Sequence, residues 1–117
     1  MLYSMCKAIG ERVKEHRNLL GYTQEQFAEK LDISLRFVAD IELGKKGMSI
    51  DTLIKMCTLL SVSADYLIWG KDEKSEKPEN NLAALTKKLS EDEMKHAEDL
   101  MRTFVKAISE EKLKKLQ

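Results

Sequence analysis

The chain has 117 residues, enough for one compact domain with an appendage but too few for two large domains. Its 20 Lys and Arg residues balance 20 Asp and Glu residues, and residues 1–70 and 71–117 each sum to zero charge. A protein that binds polyanions without specificity is usually strongly basic, so any binding to nucleic acid must depend on where individual cations lie.

The N-terminus and the two cysteines bear on the cellular compartment. Residues 1–10 lack a basic segment followed by an apolar run, so no signal peptide is predicted. No stretch approaches the roughly 18 apolar residues that a membrane-spanning helix needs. Cys6 and Cys57 stand outside any Cys/His cluster, which is typical of a reducing compartment. These features predict a cytoplasmic protein with no membrane partner, no metal and no cofactor.

Apolar residues at helical spacing predict an all-α fold that starts with five short helices between residues 4 and 70. Each helix after the first begins at a residue whose side chain can cap a helix N-terminus, namely Thr23, Ser34, Ser49 and Ser63. Glycines close the first, third and fifth helices. Between the second and third helices stands Asp32, and Asp tolerates the left-handed conformation that a tight turn often needs.

The composition changes after residue 70. Residues 71–80 contain the only proline and no large apolar side chain, so they are interpreted as a linker. A short helix carrying Leu82, Leu85 and Leu89 is expected next, and a capping box at residues 90–93 opens a long helix.

The long helix carries apolar residues in steps of three and four, the spacing of a helix that packs on a partner helix. These residues, which we expect to form a homodimer interface, are Met94, Ala97, Met101, Phe104 and Ile108. The sequence therefore divides into a domain at 1–70, a linker at 71–80 and a helical dimerisation segment at 81–117.

The second and third helices, joined by a tight turn and opened by T-Q, form a helix-turn-helix pattern. With it, T-Q-E-Q-F-A-E-K-L, I-E-x-G-K and S-x-D-Y-L resemble the motifs of the lambda-repressor/Cro-type regulators, the xenobiotic-response-element family. The resemblance covers about residues 8–70. It implies a five-helix domain that binds operator DNA.

The resemblance also implies which residues meet the DNA. The base-reading residues would lie at the start and on the outer face of the third helix, at Leu35, Arg36, Phe37, Ala39 and Asp40. The phosphate-binding residues would lie at helix starts and in the loop after the third helix, at Thr23, Gln24, Ser34, Lys45 and Lys46. Arg17 and Glu42 match a structural ion pair between the first and third helices.

The third helix departs from the family pattern. Leu43 stands where Asn or Arg is frequent in the family, and Leu35 and Asp40 replace polar groups. The face still offers chemistry for bases, because Arg36 can bind guanine, Asp40 can accept a hydrogen bond from cytosine, and apolar side chains can pack on thymine methyls. An acid that faces DNA indicates either selective readout or lost DNA binding.

These features predict a transcriptional regulator and not an enzyme, because no nucleophile stands beside a base and no phosphate-binding glycine loop occurs. The main hypothesis is a repressor that binds an inverted-repeat operator in double-stranded DNA as a homodimer. One alternative is an antitoxin whose C-terminal helices bind a toxin or another small helical antagonist. The other is a helix-turn-helix kept as a protein-interaction module, which the neutral charge and Asp40 favour.

Overall fold

The computed structural model describes residues 2–70 and 81–116, so the segment interpreted as a linker lies outside the described residues. The described residues form no strand, and their helices confirm the predicted all-α fold of five helices followed by two. The helices are α1 (Leu2–Leu20), α2 (Gln24–Leu31), α3 (Leu35–Glu42), α4 (Ile50–Leu60), α5 (Ala64–Trp69), α6 (Asn81–Thr86) and α7 (Glu91–Leu116).

The predicted helix starts are confirmed by their capping bonds. The side chains of the four capping residues each accept a hydrogen bond from the backbone N–H three residues further on, at Thr23, Ser34, Ser49 and Ser63. Thr23 and Gln26 complete the capping box, and Ser90 and Glu93 form the same arrangement before α7. These local bonds fix where α2 and α7 begin.

Two helix limits differ from those predicted. Helix α1 begins at Leu2, before the first predicted position. Helix α6 ends at Thr86, so Leu89 lies in the turn before α7. The backbone N–H groups of Lys88 and Leu89 bond to carbonyls three residues earlier, which tightens the chain into a turn and ends the helix.

The turn inside the helix-turn-helix is held by Asp32. This residue adopts the left-handed conformation that the sequence predicted, with φ 59°. Its backbone N–H reaches the carbonyls of Ala28 and Glu29, the last turn of α2. The turn places α3 across α2 on a shared core whose largest fully buried side chains are Phe27, Leu31, Ile41, Met56, Leu59 and Leu67.

Helix α7 packs on α1 and α4, a contact that its apolar pattern did not predict. Leu113 and Ser109 are buried, and Val105 packs on the core of the first five helices. Arg102 Nε donates a 2.6 Å hydrogen bond to the carbonyl of Leu19, which satisfies the end of α1. The predicted stripe lies on a neighbouring face of α7, where Met94 and Ala97 are half-buried and Met101, Phe104 and Ile108 are exposed.

A polar cluster joins α7 to the corner between α1 and α2. The hydroxyl of Tyr22 donates a hydrogen bond to Glu110, and Lys30 Nζ lies 3.3 Å from the other Glu110 oxygen. Lys106 Nζ lies 4.5 Å from the centre of the Tyr22 ring. Burial raises the pKa of Tyr22, and the hydrogen bond and charge of Glu110 raise it further.

Glu110 provides a prediction about acid stability. Burial alone would raise its pKa, but the Tyr22 hydrogen bond and the Lys30 and Lys106 cations outweigh burial, so its pKa is lowered. A lowered folded-state pKa stabilises the fold above the unfolded value of about 4.3, and this stabilisation is lost as the pH falls through the folded-state pKa. Glu110→Gln should therefore lower the unfolding free energy at pH 7 by about 1–2 kcal/mol.

The measurement is urea unfolding of both proteins at pH 7 and at pH 3. The difference in unfolding free energy between wild type and Glu110→Gln should be smaller at pH 3 than at pH 7, because the stabilisation from the charged carboxylate is lost as the pH falls. Glu111→Gln, a neighbouring exposed carboxylate, serves as the control and should unfold like wild type at pH 7. An equal gap at both pH values would contradict a role for the Glu110 charge.

Candidate nucleic-acid interface

The ends of α1, α2 and α3 meet at a buried ion pair. Arg17 Nε lies 2.6 Å from one oxygen of Glu42, and Arg17 Nη2 donates to the other at 3.0 Å. Each residue is only 6% exposed. Arg17 Nη1 also donates to the carbonyl of Tyr22 at 2.8 Å. This two-pronged pair ties α3 to α1 and to the residue that precedes the helix-turn-helix.

Two of the predicted phosphate-binding residues, Thr23 and Gln24, lie at the start of α2 near this pair. Thr23 is exposed and caps α2. Gln24 is half-buried, and its side-chain nitrogen donates to Glu42 at 2.9 Å. The amide of Gln24 is therefore positioned from behind by the ion pair. A shallow concavity lies in front, lined by Arg17, Asn18, Gly21, Tyr22, Thr23, Gln24, Glu25 and Leu35. The helix start at its edge favours an anion.

The five predicted base-reading residues of α3 differ in how far their side chains are exposed. Arg36 has a side chain that is 83% exposed, and Leu35 is also exposed. Phe37 and Ala39 are half-buried, and Phe37 packs partly against the core. Ser34, which caps α3, is exposed beside them. The first turn of α3 therefore presents one cation and one apolar side chain to the outside.

Asp40 differs from the other four residues because its side chain is only 9% exposed. Its carboxylate Oδ2 lies 3.5 Å from Arg36 Nε and 3.8 Å from Lys46 Nζ. The negative charge is thus matched by two cations, which reduces the repulsion that a nearby phosphate would meet. Base reading by Asp40 stays a prediction. In this geometry the carboxylate pairs with both cations.

The loop after α3 carries the last predicted phosphate contacts. Lys45 and Lys46 are exposed, and the backbone N–H of Lys45 donates to the carbonyl of Asp40 at 2.8 Å. Gly44 turns the chain with φ 78°, a left-handed conformation that suits glycine. Spacing along the chain does not indicate which residue lies next to this loop. The structure places Lys7, on the second turn of α1, directly against Gly44.

The described residues offer no evident place for a metal. Among residues 2–70 and 81–116, no group of three or more His, Cys, Asp or Glu side chains could hold an ion. His16 Nε2 is hydrogen-bonded to the hydroxyl of Tyr66 at 2.9 Å, and both lie where α1 meets α5.

Within residues 2–70 and 81–116 no helix has the length and apolar character to cross a membrane.

The geometry of α2, its turn and α3 on a five-helix core defines a helix-turn-helix domain, and comparisons with known proteins agree. A model of the helix-turn-helix family matches residues 13–67. The HTH-type transcriptional regulator ImmR of Bacillus subtilis (strain 168) is 39% identical over 94 residues, which are 80% of this chain and 73% of that protein. The SPbeta prophage-derived uncharacterized HTH-type transcriptional regulator YonR of the same strain is 34% identical over 92 residues, 74% and 85% of the two chains.

A third relative is the cryptic phage CTXphi transcriptional repressor RstR of Vibrio cholerae, 33% identical over 70 residues, 58% of this chain and 62% of that protein. No solved structure is a significant match. The chain belongs to the lambda-repressor/Cro-type family of helix-turn-helix transcriptional regulators. It is therefore a DNA-binding regulator by family and by fold.

Proposed function

We propose that this regulator is a repressor that binds an inverted-repeat operator as a homodimer. The observation that carries the proposal is the arrangement around Asp40, which holds one cation on the first turn of α3 and one in the loop after it. Arg36 is then available to base edges and Lys46 to phosphates. The name of the relative RstR, a transcriptional repressor, supports repression over activation.

The two ends of α3 have different tasks in this proposal. At the first end, Thr23, Gln24 and Ser34 hold phosphate near the helix starts, and Leu35 packs on a thymine methyl beside Arg36. At the other end, Lys45 and Lys46 neutralise phosphate. Contacts at both ends fix the register of α3 in the major groove, and a bound dimer would occlude a promoter.

Helix α7 supplies the proposed dimer interface. Phe104 is 60% exposed and Leu100 is 72% exposed, and Met101 and Ile108 extend the same apolar surface along the helix. Apolar side chains in such a row on one monomer commonly mark an interaction site. In this division of the chain, residues 1–70 bind DNA, 71–80 link, and 81–117 dimerise. A dimer also raises affinity, because binding of one half-site raises the effective concentration of the other domain.

Selection of DNA from a random pool by the full chain tests the proposal. We expect the recovered sequences to share an inverted repeat with half-sites about one helical turn apart, and the complex to contain two chains. Sedimentation should show a dimer at tens of micromolar without DNA. Recovery of no common sequence at low salt would contradict sequence-specific binding and would favour an interaction module instead.

A pair of surface variants tests the interface itself. Phe104→Ser should convert the dimer to a monomer, and its weaker operator binding should be restored only at higher protein concentration. Ile50→Ser removes an apolar residue at the start of α4 that is 75% exposed, more than Phe104, and should leave the dimer intact. If both variants remain dimeric, the interface lies on another surface.

A further inference from the structure

The first turns of α1 run against the loop that follows α3. A methyl group added at Gly44 would lie 2.6 Å from Cα of Lys7 and 3.0 Å from its Cβ, so the two backbones are in direct contact. A methyl group added at Gly47 would lie 3.8 Å from Sγ of Cys6. The loop that carries Lys45 and Lys46 therefore rests on the second turn of α1.

This contact brings three lysines to one place. Lys7, Lys45 and Lys46 are all exposed, and Lys45 directly follows the glycine that touches Lys7. Lys46 forms an ion pair with Asp40, whereas within the described residues neither Lys7 nor Lys45 forms an ion pair. The acid closest along its own helix is Glu11, one turn further on and also exposed. Three exposed cations on adjoining backbone segments make the local potential positive, and a positive surface attracts an anion.

The position of the cluster suits the backbone of a duplex. It lies at the C-terminal end of α3, opposite the helix starts that hold the other predicted phosphate contacts. Glycine at 44 allows α1 to approach this closely, because a side chain there would push Lys7 away. The backbone bond from Lys45 to Asp40 and the pairing of Lys46 with the same residue hold the loop in place. The backbone of Lys7 thus lies against a loop that is held in place, and its ammonium group forms no ion pair within the described residues.

We propose that Lys7 of α1 is a third phosphate-binding residue, beside the loop, and that it binds the DNA backbone together with Lys45 and Lys46. The inference rests on the proposed function and extends the DNA-binding surface to α1, outside the helix-turn-helix motif. Lys7 adds affinity and not sequence preference, because an ammonium group on phosphate reads no base.

Titration of Lys7→Ala against the recovered operator and random DNA at several salt concentrations tests this proposal. The slope of log affinity against log salt should fall by about one unit per half-site, and both DNAs should weaken by a similar factor. Lys7→Arg should keep the wild-type slope. The control Lys14→Ala removes the same charge from the same helix about 10 Å further along, and it should leave the slope unchanged.

The outcomes separate this inference from the proposed function. If wild type shows no sequence preference, the proposed function fails. If wild type prefers the operator and Lys46→Ala lowers the salt slope by about one unit per half-site, but Lys7→Ala keeps the wild-type slope, only the role of Lys7 is overturned. Equal losses in Lys7→Ala and Lys14→Ala would also overturn it, because the effect would then come from total charge and not from contact with the loop.

Discussion

Glu42→Ala is expected to lower the melting temperature by roughly 10–20 °C. The substitution leaves the buried guanidinium of Arg17 without its carboxylate, and removal of one partner of a buried pair costs about 3–5 kcal/mol. It also removes the acceptor of the Gln24 side chain, so the start of α2 loses a positioning contact. Thermal unfolding followed by circular dichroism gives the measurement.

The control for this substitution is a second ion pair on the surface. Asp51 lies 3.7 Å from Lys55 on α4, and its side chain is largely exposed. Asp51→Ala should change stability by less than about 1 kcal/mol, because exposed pairs are well solvated. If Glu42→Ala melts like wild type but no longer binds operator, the pair acts at the DNA surface and the structural assignment is wrong.

Arg36→Ala is expected to weaken operator binding by about 1–3 kcal/mol per half-site, with a much smaller effect on random DNA. Arg36 projects from the first turn of α3, where two guanidinium N–H groups can reach O6 and N7 of guanine. The Arg36 side chain is 83% exposed and lies 3.5 Å from Asp40, so its guanidinium can leave this long contact when it binds a base. Competition between operator and random duplexes measures the ratio.

Arg36→Lys separates specificity from charge. The lysine keeps the cation near Asp40 but cannot make the planar two-pronged contact to guanine. We expect it to bind random DNA like wild type and to lose preference for the operator. Equal weakening of both DNAs by Arg36→Ala would show that the residue contacts phosphate, and α3 would then need another base-reading residue.

The elements of the helix-turn-helix could be predicted because their signals are local. Thr23, Ser34 and Asp32 act on backbone groups within a few residues, so their types alone indicate where helices start and turn. The pairing of Asp40 with Lys46 could not be predicted in this way. Lys46 comes from a loop beyond the end of α3, and spacing on a single helix carries no information about where that loop lies.

The docking of α7 was missed for a different reason. The residues that dock, Val105, Ser109 and Leu113, include a serine and form a weaker apolar pattern than the stripe through Phe104. The sequence showed the stronger stripe, which stays largely exposed. The position of Lys7 beside Gly44 could not be predicted from the sequence either, because it arises from how α1 crosses the end of α3.

The docking of α7 has a consequence for the operator. In the proposed dimer through α7, the interface would lie on a helix that Leu113 and Arg102 join to the first five helices, which include α3. We therefore expect this packing to set the distance between the two copies of α3. One additional base pair between half-sites would move them apart by about 3.4 Å and rotate them by about 35° around the duplex axis. We therefore expect the proposed dimer to select operators by the spacing of their half-sites as well as by their sequence.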